Sequence, residues 1–133
     1  MDNDRIRTAV VGAGKMGSIH AKVYSQLPDS ELVAVVDEDE KKAQKLAEKY
    51  NCLAFSNCGD VLDKVDAVTV ATPTVTHLQL ARPFLRRKIP VLIEKPLASS
   101  VREGRKIVSL AKRHDAVVAV GHSERCNPVV QAM

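Results

Sequence analysis

The chain has 133 residues, 45% of them apolar and 27% charged, a profile of one soluble globular domain with a sizeable core. No apolar run approaches the roughly 20 residues of a membrane span, and the opening MDNDRIR lacks the basic-then-apolar order of a signal peptide, which excludes a membrane partner and points to the cytoplasm. The net charge of +4 raises nucleic acid as a partner, but two Tyr, two Phe and no Trp leave little to stack on bases, so nucleic acid is set aside as well.

In chain order the predicted elements alternate. Ile6–Val11 reads as a strand, about 15–26 as a helix, and Leu32–Val36 as the next strand. A helix over about 39–50, a weaker strand at Leu53–Phe55 and a short turn near 58–63 lead to a strand at Ala67–Ala71. A helix over 75–87, a strand at Val91–Ile93, a helix over 100–113 and a strand at Val117–Val120 complete the series. The strands are short, rich in Val and largely without two-residue alternation, as expected where both faces are buried. Strand alternating with helix predicts an α/β doubly wound Rossmann fold, a mainly parallel six-stranded sheet with helices on both faces, over residues 1–122.

Local signals set the helix ends. Asp37 or Asp39 can cap the second helix, Thr74 the third, and Ser99 or Ser100 the fourth, where Glu103 completes a capping box with Ser100. Pro83 falls inside the third helix and predicts a bend or a split there, at a cost of roughly 3 kcal/mol unless accommodated. The basic residues Arg82, Arg86, Arg87 and Lys88 form one group; Arg102, Arg105, Lys106, Lys112 and Arg113 form another, spaced as the solvated stripe of an amphipathic helix. Three cysteines, Cys52, Cys58 and Cys126, form no CxxC pair. They read as reduced, packed thiols, with neither a disulfide framework nor a metal site.

The stretch VVGAGKMGSIH carries the chemistry. Gly12, Gly14 and Gly17 fit G-x-G-x-x-G between a strand and a helix, so that backbone N–H groups and the positive end of the helix dipole converge on one point. Gly12 permits the tight turn, Gly14 leaves room for a pyrophosphate, and Gly17 lets helix and strand pack closely, with Lys15 and Met16 completing the loop. Asp37 ends the second strand twenty residues after Gly17, where an acid reaches the hydroxyls of an adenosine ribose and repels a 2′-phosphate. No arginine stands beside it, which favours NAD over NADP; the alternative role for Asp37 is a plain helix cap. In an open parallel sheet ligands bind beyond the carboxyl ends of the strands, and Thr72, Pro73, Thr74, Glu94, Lys95, Gly121 and His122 all fall there. A lysine partly buried beside a cationic ring is a candidate proton carrier, and Lys95 is so placed. His77 either meets the cofactor or packs. His20 reads as packed and His114 as exposed.

Taken with VATPTVTH, VLIEKPLA and VGHSERCNP, these segments resemble the oxidoreductase family of glucose–fructose oxidoreductase and inositol dehydrogenase, the Gfo/Idh/MocA family, from about residue 6 to the end. The GHSERCNP segment is similar to the branch that acts on nucleotide-activated sugars such as UDP-N-acetylglucosamine. The resemblance implies an NAD-dependent sugar dehydrogenase in which Lys95 takes the hydroxyl proton while hydride passes to the nicotinamide. It also implies that Ala71, Thr72, Pro73, His77, Glu94 and Lys95 line the cofactor, that His122 serves the substrate side, and that Arg125 and Asn127 meet the substrate. Two departures stand out: Cys126 replaces an aromatic, and Lys88 stands where the family commonly has glycine and a left-handed backbone.

Members of the family carry a second, α+β domain after the Rossmann unit that supplies most of the substrate pocket and much of the dimer interface. Residues 123–133 correspond to the start of that connection. The resemblance therefore implies a homo-oligomeric enzyme acting on a small-molecule sugar or nucleotide sugar, and a 133-residue chain that binds cofactor without efficient turnover. A stand-alone NAD-binding module that senses redox state or regulates a partner is the alternative, and a basic interaction protein with a purely structural glycine loop is a third reading.

Overall fold

The computed structural model describes residues 4–121. Six strands, β1 (Ile6–Val11), β2 (Ser30–Val36), β3 (Leu53–Phe55), β4 (Ala67–Val70), β5 (Val91–Glu94) and β6 (Val118–Gly121), form one sheet in the order β3-β2-β1-β4-β5-β6. Every neighbouring pair is parallel. The helices are α1 (Lys15–Gln26), α2 (Glu40–Lys49), α3 (His77–Arg86) and α4 (Val101–Arg113), with 3₁₀ turns at Cys58–Val61 and Thr74–Thr76. The chain winds outward from β1 to β3 and then crosses back to lay β4 on the other side of β1. The strand order therefore reverses between β1 and β4, where such sheets open a crevice at their carboxyl edge.

Both faces of the sheet are covered. Val10 and Val35 pack with Ala21 of α1 and Ala43, Leu46 and Ala47 of α2 on one face. Ala9, Val11, Val68 and Ile93 pack with Phe84 and Leu85 of α3 and Ile107 of α4 on the other. This is the doubly wound architecture expected from the alternating pattern. Among the described residues no helix is long and apolar enough to cross a membrane.

Several boundaries differ from the sequence expectation for identifiable reasons. β2 begins two residues early, at Ser30, because Ser30 and Glu31 pair with Ile6 and Arg7 of β1. The third helix is divided: a 3₁₀ turn occupies Thr74–Thr76 and α3 starts at His77, so Thr74 opens the turn rather than capping the helix. Pro83 does not split α3, which runs unbroken through it. The carbonyl that Pro83 deprives of a partner belongs to Gln79, which is exposed to water. Asp39, not Asp37, caps α2, accepting from the Lys41 and Lys42 N–H groups. Ser100 caps α4 by accepting from the Glu103 N–H at 3.1 Å, while the Glu103 carboxylate accepts from the Ser99 hydroxyl at 2.8 Å. The basic stripe of α4 is exposed throughout, as a solvated face should be, whereas His114 at its end is half-buried.

Three helices end in the same way. After α2, α3 and α4 the chain turns left-handed at Asn51 (φ 54), Lys88 (φ 61) and Asp115 (φ 53). In each case the next N–H reaches back across the turn, from Cys52 to Ala47, Ile89 to Phe84 and Ala116 to Ala111, the Schellman arrangement. Asn and Asp tolerate that conformation; Lys88 holds it against a cost of roughly 1 kcal/mol.

Candidate cofactor crevice

The carboxyl ends of β1, β2 and β4 are drawn together by backbone bonds that continue the ladder. Gly12 N–H donates to Val36 O at 2.7 Å, Ala71 N–H to Val11 O at 2.8 Å and Asp37 N–H to Phe55 O at 3.0 Å. The glycines then do different things. Gly12 has φ +110, and a Cβ on it would stand 2.4 Å from Ala71 O; a side chain at Gly17 would stand 1.7 Å from Gly12 O. Both spaces are closed to any larger residue, so the turn and the seating of α1 on β1 need glycine at these two places. Gly14 is the opposite case: a Cβ there would find no heavy atom within 4 Å. It faces open space at the N-terminus of α1. No side chain caps that helix and no acidic residue stands in its first turn. Gly14, Lys15 and Met16 are all exposed. An uncapped, accessible helix N-terminus with bare peptide at its mouth suits an anion.

Asp37 is tied to this loop. Its Oδ2 accepts from the Ala13 N–H at 2.8 Å and its Oδ1 from the Asp39 N–H at 2.8 Å. The half-buried carboxylate thus stands beside the glycine turn with each oxygen anchored once and lone pairs still available. Beyond it, between α2 and the end of β3, a groove of about 210 Å³ is lined by Ala43, Gln44, Phe55 and Ser56. A larger groove of about 820 Å³ lies away from the crevice, against Leu97, Ala98, Val101 and Val108 on the outer side of α4.

On the other side of β1 the loop after β4 carries Ala71, Thr72 and Pro73. The Thr72 and Thr76 hydroxyls lie 2.7 Å apart, and the Thr76 hydroxyl also stands 2.6 Å from Pro73 O. His77 lies beneath this loop, 1% exposed, with Nε2 2.9 Å from Thr72 O and Nδ1 3.1 Å from Leu97 O. The ring is thus packed between the β4 loop and the β5 loop, where a neutral imidazole, with a single N–H, donates to one of the two carbonyls. Lys95 follows β5 at an exposed position and is joined to Pro96 by a cis peptide bond. The partial burial expected of Lys95 is not seen: β5 ends at Glu94, and Lys95 after it is exposed. Glu94 itself is held. His20 Nε2 donates to Glu94 Oε1 at 2.6 Å, a pairing that the sequence reading of His20 as a packed residue missed. His122, Arg125 and Asn127, assigned to the substrate side, lie outside the described residues, as does Cys126.

Elsewhere the polar groups are accounted for. The Tyr24 hydroxyl on α1 bonds the Thr69 hydroxyl in the middle of β4, and burial pushes the Tyr24 phenol above its ordinary value. Burial likewise pushes the Cys52 and Cys58 thiols up to about 11, so both are inert packed thiols as expected. No group of three metal-binding side chains occurs among the described residues.

The comparisons agree with this geometry. The family model for Gfo/Idh/MocA, described as an oxidoreductase family with an NAD-binding Rossmann fold, matches residues 6–122. UDP-N-acetylglucosamine 3-dehydrogenase of Acidithiobacillus ferrooxidans is 35% identical over 95% of this chain and 40% of its own length. Its solved structure superposes with a TM-score of 0.90 at 34% identity, over 96% of this chain and 42% of that one. Inositol 2-dehydrogenase of Rubrobacter xylanophilus is 38% identical over 96% of this chain and 38% of its own. A structure of GenD2 from gentamicin A biosynthesis, in complex with NAD, superposes with a TM-score of 0.85 at 36% identity, over 89% of this chain and 34% of that one. The chain thus spans about 40% of the length of the relatives it matches.

Proposed function

The chain belongs to the Gfo/Idh/MocA oxidoreductase family, whose NAD-binding Rossmann fold it carries, and we propose that it is the cofactor-binding part of an NAD-preferring dehydrogenase that oxidises a ring hydroxyl of a sugar or nucleotide sugar. One observation carries the reading: Gly14 opens onto free space at an uncapped helix N-terminus while Asp37, anchored to the same loop through the Ala13 N–H, presents a carboxylate beside it. A diphosphate fits the first and a ribose diol the second. A 2′-phosphate does not fit beside that carboxylate, which supports NAD over NADP.

The strand order supports a division of labour. Asp37 at the end of β2 takes the adenosine side, the α1 N-terminus takes the diphosphate between β1 and β4, and Thr72, Pro73, Glu94 and Lys95 on β4 and β5 take the nicotinamide side. When bound, the nicotinamide supplies hydride transfer. Lys95 Nζ, exposed at the rim, is the group of this chain that holds and moves the hydroxyl proton. The nucleotide-sugar alternative is favoured by the likeness to UDP-N-acetylglucosamine 3-dehydrogenase; the inositol 2-dehydrogenase relative supports a plain cyclic polyol.

Calorimetric and thermal titration of the chain with NAD and NADP tests the reading. NAD should bind with the lower Kd and raise Tm. No rise in Tm at millimolar NAD would overturn it and leave the glycine loop as a packing device.

A further inference from the structure

His20 and Glu94 are 74 residues apart in sequence and meet where α1 passes the end of β5. His20 lies on α1, three residues beyond Gly17, and Glu94 is the last residue of β5, directly before Lys95. The two side chains are 17% and 14% exposed, and the bond between them is 2.6 Å. The second carboxylate oxygen, Oε2, accepts from the N–H of Lys95 itself at 3.3 Å. The third side is closed by Gly121 on β6, where a Cβ would come within 2.9 Å of Oε1 and 3.2 Å of Oε2. The carboxylate is thus held by a ring donor and a main-chain donor, in a space that a side chain at residue 121 would force it to leave. Since the main-chain donor belongs to Lys95, that place also fixes where the Lys95 backbone leaves the sheet.

The position on α1 gives this bond a reach beyond β5. The same helix presents its N-terminal peptide groups to the diphosphate position, so the pair links the two ends of the crevice through one rigid element. An apolar side chain at residue 20 would fill the space against the sheet, yet it would leave a largely buried carboxylate without its strongest donor. We infer that His20 is a positioning residue for Lys95, acting through Glu94, and that it sets the nicotinamide side of the crevice against the diphosphate side. The inference rests on the cofactor reading above.

The test compares NAD with ADP-ribose, which lacks the nicotinamide. Both are titrated calorimetrically into the unaltered chain and into three variants whose folding is checked by thermal melting. His20→Ala should weaken NAD roughly tenfold, the effect of losing one charge-assisted bond, and leave ADP-ribose within about twofold, since Asp37 and the glycine loop are untouched. His20→Gln, which returns an N–H donor at similar reach, should recover most of the NAD affinity. Gly121→Ala displaces the Glu94 carboxylate without altering α1 and should reproduce the selective loss of NAD; it decides alone if His20→Ala fails to fold. Equal loss of both ligands, or no loss of NAD, overturns the inference and leaves the pair as a support for α1. If the unaltered chain binds ADP-ribose but not NAD, the inference falls while the diphosphate and ribose sites stand. If it binds neither, the cofactor reading itself fails and takes the inference with it.

Discussion

Removing the Asp37 carboxylate should change which dinucleotide the crevice accepts, not merely how tightly it binds one. Each oxygen already accepts one N–H, from Ala13 and from Asp39, at 2.8 Å. In the proposed cofactor reading the remaining lone pairs would take the 2′- and 3′-hydroxyls of the ribose. A hydrogen bond to a charged group contributes about 1.5–3 kcal/mol. Losing two, partly offset by returning water, costs about 3 kcal/mol, or roughly 100-fold in Kd for NAD. A 2′-phosphate at about 4 Å from the carboxylate is repelled by about 1 kcal/mol in water and about 4 kcal/mol at the effective dielectric of a protein surface. Relief of that repulsion offsets the lost 3′-hydroxyl bond, so the NADP Kd should move by less than about threefold. The NAD-to-NADP preference of Asp37→Ala should therefore fall at least roughly 30-fold, read by isothermal titration at one fixed ionic strength because the repulsion is screened. Asp37→Asn keeps an acceptor for the Ala13 N–H while removing the charge, and so separates loosening of the glycine turn from electrostatics. An equal loss of NAD and NADP affinity in Asp37→Ala would refute the assignment of the ribose to this acid.

Three further outcomes follow from particular residues. Gly14→Ala should leave Tm within about 1 °C, because the new methyl meets nothing within 4 Å and φ is −84, yet it should cost NAD at least roughly tenfold by obstructing the diphosphate; a variant that binds normally would show that the ligand does not approach there. Lys88→Gly should stabilise the chain by up to about 0.6 kcal/mol, the relief of a left-handed lysine less the extra freedom of glycine when unfolded, and raise Tm by up to about 2 °C; a lower Tm would count against strain at φ 61. Cys52 and Cys58 have thiols raised by burial from 9.0 to about 11. Their folded-state values exceed the unfolded ones, so their contribution to stability is intact below about pH 9 and declines as pH rises from there toward 11. Denaturant melts between pH 8 and 11 should show that decline, and a flat profile would contradict it.

What was legible in the sequence was what neighbours in sequence decide. Gly12, Gly14 and Gly17 lie within six residues, and their separate roles can be assigned because strand, turn and helix follow one another without interruption. Asp37 was placed by spacing, since one helix and one strand of ordinary length bring the chain back to the same edge. The Val-rich runs located five strands and the weaker run Leu53–Phe55 the sixth, and the parallel pairing could be foreseen because those runs largely lack alternation. The start of β2 was not legible: Ser30 and Glu31 have weak strand preference and are extended by their partners Ile6 and Arg7. Nor was the division of the third helix, where Pro73 and the Thr76 hydroxyl stabilise a tighter turn before α3 begins.

The harder misses share one cause. His77 could be seen at the head of a helix, but its two carbonyl partners come from Thr72 and from Leu97, the second contributed by a loop that lies one helix and one strand further on. His20 and Glu94 each look ordinary alone. The signal that joins them is physical rather than local: once β1, β4, β5 and β6 are laid side by side, the space that a Cβ at residue 121 would take is filled by the Glu94 carboxylate. A glycine at the end of the half-buried edge strand β6, outside the left-handed region, is thus a pointer to a side chain held on the neighbouring strand. Here that pointer leads from β6 to Glu94, from Glu94 to His20, and from there to α1, whose uncapped N-terminus lies at the glycine loop, so the least conspicuous of the glycines marks the contact that joins β5 to that helix.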